Sequence, residues 1–279
     1  MSAPITDIDL TVDPLLTIGI LINFITDELR RKGFRKVVTG LSGGLDSAFG
    51  AALLVNALDA EPVTALTMPA DQSDPQSLAD AELVARSLGI RLVQRPIGGI
   101  VAAMFAGEKR VDRVRLGNAA ARARMMQLFD YSQEHRALVV GTSNKSELLL
   151  GYGTWYGDLA CSINPIGDLY KTQIRQLAGF LDLPRRIIDK PPSADLWIGQ
   201  TDEGELGFTY ETVDRLLFLL VDQEYSVDQV VARGFDRALV DRVVKLIAST
   251  QFKRSLPTIA KLSSRTVGID FHLARDWLR

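Results

Sequence analysis

Residues 37–47 read VVTGLSGGLDS, a β-branched run that leads through a Ser/Gly turn into a helical stretch. Glycines allow a backbone to approach a phosphate closely, and the hydroxyls of Ser42 and Ser47 add hydrogen-bond donors. The helix that follows offers unpaired N–H groups and the positive end of its dipole. The stretch therefore predicts a phosphate-binding loop between a strand and a helix.

Asp46 is unusual in this loop, because it places an acid at a helix start that is otherwise suited to anions. A Mg²⁺ ion bound to phosphate oxygens would explain it, since Mg²⁺ is held by carboxylates together with phosphates. The stretch is neither a Walker loop, which needs G-x-x-x-x-G-K-[ST], nor a dinucleotide fingerprint of the form G-x-G-x-x-G. A simpler interpretation is a tight turn with glycine for geometry and Asp46 as a helix cap.

The first half of the chain alternates short β-branched runs with helical patterns. This alternation is typical of βαβ units, and so of an α/β fold with a parallel sheet covered by helices on both faces. The predicted strands cover residues 36–39, 63–68, 91–96 and 137–140, and the predicted helices between them cover residues 47–58, 74–89 and 117–133.

The second half of the chain has a different texture. Residues 142–168 are rich in Gly, Ser, Asn and aromatic residues, and residues 170–181 have a helical pattern. Residues 190–209 read as a long polar loop, and loops of that length are usually functional or disordered. Helices are predicted at residues 210–223 and 236–249, before an irregular tail.

Length and composition fit a globular protein. The 279 residues are 47% apolar and 24% charged, which are ordinary values for a folded chain. We expect a single domain over residues 1–279, with a core at about residues 30–200 and a helical C-terminal part at about residues 205–279. The net charge of −2 gives no general reason to expect nucleic-acid binding, which usually requires a basic excess.

Cys161 is the single cysteine, which excludes an internal disulfide and a thiolate-rich metal site and is consistent with a reducing cytoplasm. The apolar residues 14–25 are too few to span a bilayer. Asp7, Asp9 and Asp13 precede them without Lys or Arg, the wrong charge for a signal peptide. We therefore expect a cytoplasmic protein without a membrane segment, in which these residues form a buried helix that could pack against a second subunit.

The string S-G-G-x-D-S at residues 42–47 is more specific than glycine-rich turns in general. It resembles the signature of the N-type ATP pyrophosphatases, which cleave ATP to AMP and pyrophosphate. Those enzymes include NAD, GMP, asparagine and argininosuccinate synthetases and several tRNA-modifying enzymes. The resemblance implies ATP chemistry and leaves the acceptor open.

Four later strings distinguish among these relatives. Together and in this order they resemble the NAD synthetases of the ammonia-dependent type. The resemblance implies an open, mostly parallel five-stranded sheet like that of the adenine nucleotide alpha hydrolases, followed by C-terminal helices. The strings are GTSNKSE at residues 141–147, GYGTWYGD at 151–158, NPIGDLYKTQ at 164–173 and KPPSADL at 190–196.

Some residues in these strings also predict a metal and phosphate site from their position. Thr142 and Glu147 follow a predicted parallel strand at its carboxyl end, where ligands bind in open α/β sheets. Glu147 would complete a Mg²⁺ site with Asp46, and Lys171 would neutralise phosphate charge as the α–β bond breaks. The simpler alternative is that Glu147 is an exposed helical glutamate and Lys171 a solvated lysine.

The resemblance also implies a role for individual positions. Asp46 and Lys171 are expected to be catalytic. Asp158 is a candidate for handling the ammonium proton only because of its place in the glycine-rich loop. The expected ATP-binding residues are Gly40, Leu41, Ser42, Gly43, Gly44, Leu45, Asp46, Ser47, Thr142, Lys171 and Ser193. The expected contacts to deamido-NAD are Arg122, Trp155, Ser162 and Lys253, and the expected metal ligands are Asp46 and Glu147.

Three positions depart from the pattern of many NAD synthetases. Trp155 stands in place of a substrate-binding lysine, Ser162 in place of an aspartate and Phe252 in place of a histidine. All three lie on the dinucleotide side of the expected site. Stacking on Trp155 and Phe252 would replace part of the lost polar contacts; alternatively, these aromatic residues belong to the core.

The reaction implied by the resemblance has two steps. The nicotinate carboxylate of deamido-NAD attacks the α-phosphate of ATP, and ammonia then converts the acyl-adenylate to NAD and AMP. The resemblance also implies a homodimer. We expect the enzyme to use free ammonia, because a fused glutaminase would need an extra domain, unless a separate glutaminase subunit docks to this chain. Two alternatives remain: a tRNA-modifying enzyme with the same loop, and a non-catalytic nucleotide-binding protein on the same fold.

Overall fold

The computed structural model describes residues 8–71, 73–193 and 201–273. In these residues the strands form one parallel sheet, in the order β3-β2-β1-β4. The open parallel sheet predicted from the sequence is therefore confirmed. The strands are β1 (Lys36–Gly40), β2 (Val63–Thr67), β3 (Arg91–Gln94) and β4 (Ala137–Val140).

The sheet has four strands in the described residues, where five were expected. Beside β4, Ile163 makes an isolated parallel bridge with Val140, and the N–H of Gly141 donates to the Ile163 carbonyl at 2.9 Å. Pro165 follows shortly after and has no N–H to donate, so the ladder does not continue. Next to β4, the described residues therefore contain a single bridge and no further strand.

Helices flank the strands, and side-chain caps fix several of their first turns. Asp74 accepts the N–H of Gln76 at 2.8 Å, and Asp112 accepts that of Arg115 at 2.9 Å. Because Asp112 caps it, the helix predicted from residue 117 begins earlier. The helices are α1 (Pro14–Lys32), α2 (Leu45–Leu58), α3 (Pro75–Leu88), α4 (Gly98–Met104), α5 (Arg113–His135), α6 (Lys145–Leu150), α7 (Lys171–Ala178), α8 (Arg185–Ile188), α9 (Asp202–Leu206), α10 (Tyr210–Leu217), α11 (Val227–Ala232) and α12 (Arg237–Ser249), with a π-helical turn at Phe218–Asp222 and a 3₁₀ turn at Gln251–Arg254.

Alternate residues of β1 face opposite layers of the core. Val37 is buried with Phe49 and Leu53 of α2. Val38 is buried on the other side, with Ala120 of α5. Side chains of successive strand residues point to opposite faces, so the pattern confirms that helices cover both faces of the sheet.

α1 contacts the core with one side only. Ile25 and Leu29 are buried, but Leu15 and Ile20 are 84% and 57% exposed. The helix predicted at residues 14–25 is present, but within the single chain only its inner side is buried, because apolar residues occupy both sides of the helix. None of the described helices is long and apolar enough to cross a membrane.

The C-terminal helices share an apolar cluster with α6 and α7. Val213 and Leu217 of α10 are buried there together with Tyr210, with Tyr170 at the start of α7 and with Leu150 of α6. This cluster joins the helical part of the chain to the segments that follow β4, and so to the edge of the sheet where ligands are expected.

The polar stretch at residues 190–209 is not a loop throughout, as the sequence had suggested. Asp202–Leu206 forms α9, and the Thr201 hydroxyl accepts the N–H of Gly204 at 3.3 Å. This short helix begins after the capping Thr201 and ends at Gly207, whose backbone is left-handed at φ +74°. Residues 194–200 of the stretch lie outside the described part of the chain.

Candidate active site

The carboxyl ends of the strands open into a cavity of about 850 Å³. Neighbouring parallel strands present their following loops at one edge of a sheet, where α/β folds bind ligands. The cavity wall combines residues from both halves of the chain. Of the residues predicted from the sequence, those in the wall are Gly40, Leu41, Ser42, Gly44, Leu45, Asp46, Ser47, Thr142, Glu147, Asp158, Lys171, Ser193 and Lys253.

The phosphate loop, defined as residues 40–47, is held by its own hydroxyl groups. Ser47 Oγ donates to the Gly44 carbonyl at 2.9 Å and accepts the N–H of Ser42 at 3.2 Å. Gly44 is the N-cap of α2 and provides no side-chain cap. In the described residues no side-chain cap binds the first N–H groups of α2, whose residues lie in the cavity wall, and this arrangement suits an anion.

Gly43 fixes the loop beneath α3, with a left-handed backbone at φ +78°. A Cβ at this position would lie 2.3 Å from the Ser77 carbonyl oxygen, so only glycine fits. Lys190 Nζ donates to the Gly43 carbonyl at 3.2 Å and to the buried carboxylate of Asp80 at 2.7 Å. Lys190 thus anchors the phosphate loop, although the sequence pattern gave it no role.

Asp46, Glu147 and Lys171 come together in the cavity wall. The Lys171 ammonium is paired with the Asp46 carboxylate, and 5% of the lysine side chain is exposed. Burial opposes the charge on Lys171, but the carboxylates of Asp46 and Glu147 outweigh it and raise the pKa of Lys171. Burial and the Asp46 charge raise the pKa of Glu147 well above its usual value. Lys171 is therefore not a solvated surface lysine.

The acidic side of this cluster suits a hard cation. Asp46 Oδ1 is buried without a hydrogen-bond partner in the described residues, which leaves an oxygen available to a metal ion. Glu147 Oε2 accepts the N–H of Asn144 at 3.2 Å and is fixed by this cap of α6. Two carboxylates are what Mg²⁺ takes from a protein when phosphates and waters complete its shell. The described part of the chain contains no group of three or more Asp, Glu, His or Cys able to hold a metal ion.

Asp202, the first residue of α9, also belongs to this neighbourhood and was not predicted. It is 3% exposed, and its Oδ2 accepts the Tyr210 hydroxyl at 3.2 Å. Burial raises the pKa of Asp202, and the nearby Lys171 ammonium opposes the change. The polar composition of residues 190–209 indicated a functional segment, but no local pattern shows which of its acids points inward.

Lys253 holds the glycine-rich stretch after α6. Its ammonium donates to the carbonyls of Gly151 at 2.7 Å and Gly153 at 2.8 Å. Burial lowers the pKa of Lys253, and Asp158 opposes this. Asp158 Oδ1 accepts the N–H of Thr154 at 2.9 Å. Asp158 and Lys253 therefore share one part of the cavity wall.

Thr142 and Ser193 were predicted from the sequence to bind ATP. Thr142 follows β4 and packs against α2 at Gly50, where a Cβ would lie 2.7 Å from its methyl carbon. Ser193 is exposed and is the last described residue before residues 194–200. Both residues line the cavity.

Arg122, Trp155 and Ser162 do not line this cavity in the described chain. Arg122 donates to the Trp155 carbonyl at 3.4 Å. The Trp155 ring lies 4.4 Å from that of Tyr156 and 5.3 Å from that of Phe252, centroid to centroid. Phe252 is 52% exposed, so this aromatic cluster is at the surface and not in the core. Of the predicted dinucleotide contacts, the structure places Lys253 in the cavity and the other three outside it.

The loop, the carboxylates and the lysine place the chain among the α/β nucleotide-binding enzymes. Its sequence matches the NAD synthase family over residues 17–257. The NH(3)-dependent NAD(+) synthetase of Chlorobaculum parvum is 51% identical over 269 residues, which cover 96% of this chain and 97% of the relative. The chain therefore belongs to the NAD synthase family.

Solved structures share this fold over nearly their whole length. The NMN synthetase from Francisella tularensis is 35% identical with a TM-score of 0.79, and the match covers 89% of this chain and 99% of that one. The NH3-dependent NAD synthetase from Campylobacter jejuni, in complex with nitrate, is 37% identical with a TM-score of 0.77 and coverages of 90% and 100%. The family resemblance drawn from the sequence strings is confirmed.

Proposed function

We propose that this chain catalyses the ATP-dependent amidation of deamido-NAD to NAD, with ammonia as the nitrogen donor. In the first step an oxygen of the nicotinate carboxylate attacks the α-phosphorus of ATP, the bond to the bridging oxygen breaks, and pyrophosphate leaves. In the second step the nitrogen of ammonia attacks the acyl carbon, the bond to AMP breaks, and the nitrogen loses a proton. The products are NAD, AMP and pyrophosphate.

One observation carries this proposal: a single cavity is lined both by the phosphate loop and by Lys253 and Asp158. A carboxylate can attack the α-phosphate only when both reactants are held in contact. Relatives such as the 51%-identical NH(3)-dependent NAD(+) synthetase support deamido-NAD and ammonia as the substrates.

On the ATP side, the phosphate loop is proposed to bind the pyrophosphate portion of ATP through its N–H groups and the hydroxyls of Ser42 and Ser47. Lys171 supplies a buried positive charge that offsets the charge gained by the departing pyrophosphate. Asp46 and Glu147 would hold a Mg²⁺ ion, which when bound adds positive charge at the phosphate oxygens. The buried Oδ1 of Asp46, which has no hydrogen-bond partner among the described residues, supports this assignment.

On the acceptor side, Lys253 and the surface cluster of Arg122, Trp155 and Phe252 are proposed to bind deamido-NAD. The Arg122 guanidinium offers charge for the dinucleotide phosphates. The partly exposed Trp155 ring and the exposed Phe252 ring offer faces for stacking. Ser162 is assigned to this set on the resemblance alone. Asp158, beside Lys253, is proposed to accept the proton that the attacking nitrogen loses.

We further propose that the chain acts as a homodimer in the cytoplasm and binds neither nucleic acid nor a membrane. The exposed apolar residues Leu15 and Ile20 of α1 and Val114 and Met126 of α5 provide surface for a second copy. Light scattering of the purified chain is expected to give the mass of a dimer. A monomer at micromolar concentration would contradict the proposed dimer and would leave the proposed reaction untested.

The proposed reaction is tested by incubating the purified chain with ATP, Mg²⁺, deamido-NAD and ammonium chloride. Chromatography is expected to show NAD and AMP in equal amounts, and neither when any one component is omitted. Glutamine in place of ammonium is expected to give no product. Absence of NAD from the complete mixture would refute the proposal.

The acceptor is tested in a parallel reaction with the deamido mononucleotide, since an NMN synthetase shares this fold. We expect a higher kcat/KM with deamido-NAD, because the NH(3)-dependent NAD(+) synthetase relative is far more similar in sequence. A higher kcat/KM with the mononucleotide would reassign the acceptor. Pyrophosphate release that depends on tRNA would instead favour a tRNA-modifying enzyme.

A further inference from the structure

Asp214 in α10 is a fully buried carboxylate that joins the starts of two other helices. Its Oδ1 accepts the hydroxyl of Ser146, in the first turn of α6, at 2.6 Å. Its Oδ2 accepts both the N–H and the hydroxyl of Thr172, in the first turn of α7, each at 2.9 Å. One side chain thus satisfies donors from two segments that are distant in the sequence.

The connection continues through Ser146. Its Oγ donates to Asp214 and accepts the backbone N–H of Lys171 at 3.0 Å. Gln173 accepts the N–H of Tyr170, the N-cap of α7, at 2.9 Å, whereas the next two N–H groups, those of Lys171 and Thr172, are accepted by Ser146 and Asp214. Asp214 therefore serves as a remote cap for α7, at the helix end where a negative charge is favourable.

Ser146 and Thr172 are the immediate neighbours of two residues of the site. Glu147 follows Ser146 in α6, and Lys171 precedes Thr172 in α7. Because both helices are short, fixing their first turns fixes the backbones that carry the Glu147 carboxylate and the Lys171 ammonium. Asp214, Ser146 and Thr172 are themselves absent from the wall of the cavity.

We propose that Asp214 is a positioning residue for the reaction, which sets the spacing of Glu147 and Lys171 through Ser146 and Thr172. This inference rests on the proposed function, because it assigns Glu147 and Lys171 to ATP. The inference also gives the C-terminal helical part of the chain a role in the reaction, since α10 carries the residue that aligns two segments of the α/β core.

An amide cannot replace this carboxylate. In the described residues Asp214 accepts the hydrogen bonds from Ser146 and Thr172 and donates none. An asparagine side chain offers one acceptor atom and one donor group in place of two acceptor atoms. If the NH₂ group of the substituted side chain faced Thr172, donors would meet; if it faced Ser146, the serine hydroxyl would lose its acceptor. Asp214→Asn is therefore a small change in volume that breaks one branch of the network.

The test compares Asp214→Asn with Val230→Ala in the complete reaction. Val230 is fully buried in the same apolar cluster, but it lies in α11, outside the Asp214 network. We expect Asp214→Asn to lower kcat by about ten- to a hundredfold while KM for ATP changes less than about threefold. Val230→Ala is expected to keep the wild-type kcat even if its thermal unfolding midpoint falls as far as that of Asp214→Asn.

A readout that needs no turnover is hydrogen–deuterium exchange of the peptides spanning residues 143–150 and 170–175. Asp214→Asn should speed exchange there relative to both the wild type and Val230→Ala. Wild-type kcat in folded Asp214→Asn, or an equal loss in Val230→Ala, would overturn the inference. If the wild type makes no NAD while the exchange effect is present, the proposed function fails and the structural role of Asp214 stands.

Two milder variants keep the inference testable if Asp214→Asn does not fold. Ser146→Ala removes the hydroxyl that joins Asp214 to the Lys171 backbone and should lower kcat in the same direction. Thr172→Ser keeps both donors to Asp214 and should retain wild-type kcat. Unchanged activity in Ser146→Ala, or equal losses in both variants, would overturn the inference.

Discussion

The ammonium of Lys171 is paired with the carboxylate of Asp46, although the two residues are 125 positions apart and begin different helices. The pair lies beside Glu147, whose charge also raises the pKa of Lys171. A buried lysine needs such partners to remain charged. The site therefore holds a fixed positive charge next to the acids assigned to a metal ion.

Asp46→Asn is predicted to reduce kcat at least about a hundredfold, because it removes a proposed metal ligand and the partner of Lys171. NAD and AMP formation measure the loss, and circular dichroism checks that the fold is retained. Asp27→Asn is the matched control, since Asp27 forms an exposed ion pair with Arg30 on α1. Near wild-type turnover in Asp46→Asn would refute the metal role.

Gly43→Ala is predicted to destabilise the protein by about 1–3 kcal/mol and to weaken ATP binding. The added Cβ would lie 2.3 Å from the Ser77 carbonyl oxygen, and the backbone there is left-handed. Gly99→Ala in α4 is the control, because nothing lies within 4 Å of its added Cβ. Urea denaturation of both variants measures the difference, and equal stability of the two would contradict the steric argument.

The strand, turn and helix around the phosphate loop were predictable from residues 37–47, because the contacts that shape this unit are local. Ser42, Gly44 and Ser47 bond to one another within a few positions of the chain. The helix boundary at Asp74 was predictable for the same reason, since a cap acts within one turn. Local patterns thus account for the sheet and for the loop.

Asp214 and Lys190 could not be assigned from the sequence, because their partners are distant in the chain and no motif gives them a role. Asp214 contacts Ser146 and Thr172, which are 68 and 42 positions away. Lys190 reaches Gly43 across 147 positions. No periodicity or spacing encodes such contacts, because they arise only when distant segments of the chain pack together. The contribution of α10 to the site could be seen only in the structure.

Lys190→Met is predicted to raise KM for ATP about tenfold with a smaller effect on kcat, because Lys190 anchors the phosphate loop at Gly43. Asp80 would keep its ion pair with Arg186, so the fold should persist with a loss of about 1–3 kcal/mol. Steady-state kinetics at varied ATP measure the effect. Lys245→Met, an exposed residue of α12, serves as control; equal KM values in the two variants would show that the anchor is dispensable.

Asp214 should also make stability depend on pH. Burial raises the pKa of Asp214 from 3.8 to about 6, against the hydrogen bonds from Ser146 and Thr172. The folded state thus binds this proton more tightly than the unfolded state, so the associated stability is present at low pH and is lost as pH rises through about 6. Asp214→Asn lacks this contribution.

The destabilisation caused by Asp214→Asn is therefore predicted to be about 1 kcal/mol larger at pH 5 than at pH 7.5. Urea denaturation of wild type and variant at both pH values measures it. Subtracting the variant from the wild type removes the titration of all groups that the two share. A difference that does not change with pH would show that Asp214 titrates at its usual value.

Trp155→Ala is predicted to raise KM for deamido-NAD about tenfold, because Trp155 lies against Phe252 in the cluster proposed to bind this substrate. KM for ATP is predicted to stay unchanged, because Trp155 lies outside the cavity. A lost aromatic stacking face accounts for a change of this size. Phe180→Ala is the control, since Phe180 is an aromatic residue after α7 that is 58% exposed and lies outside the Trp155 cluster. Steady-state kinetics with each substrate varied in turn separate the two KM values. If Trp155→Ala changes neither, the aromatic cluster is a surface feature and the dinucleotide must be held by the cavity residues alone.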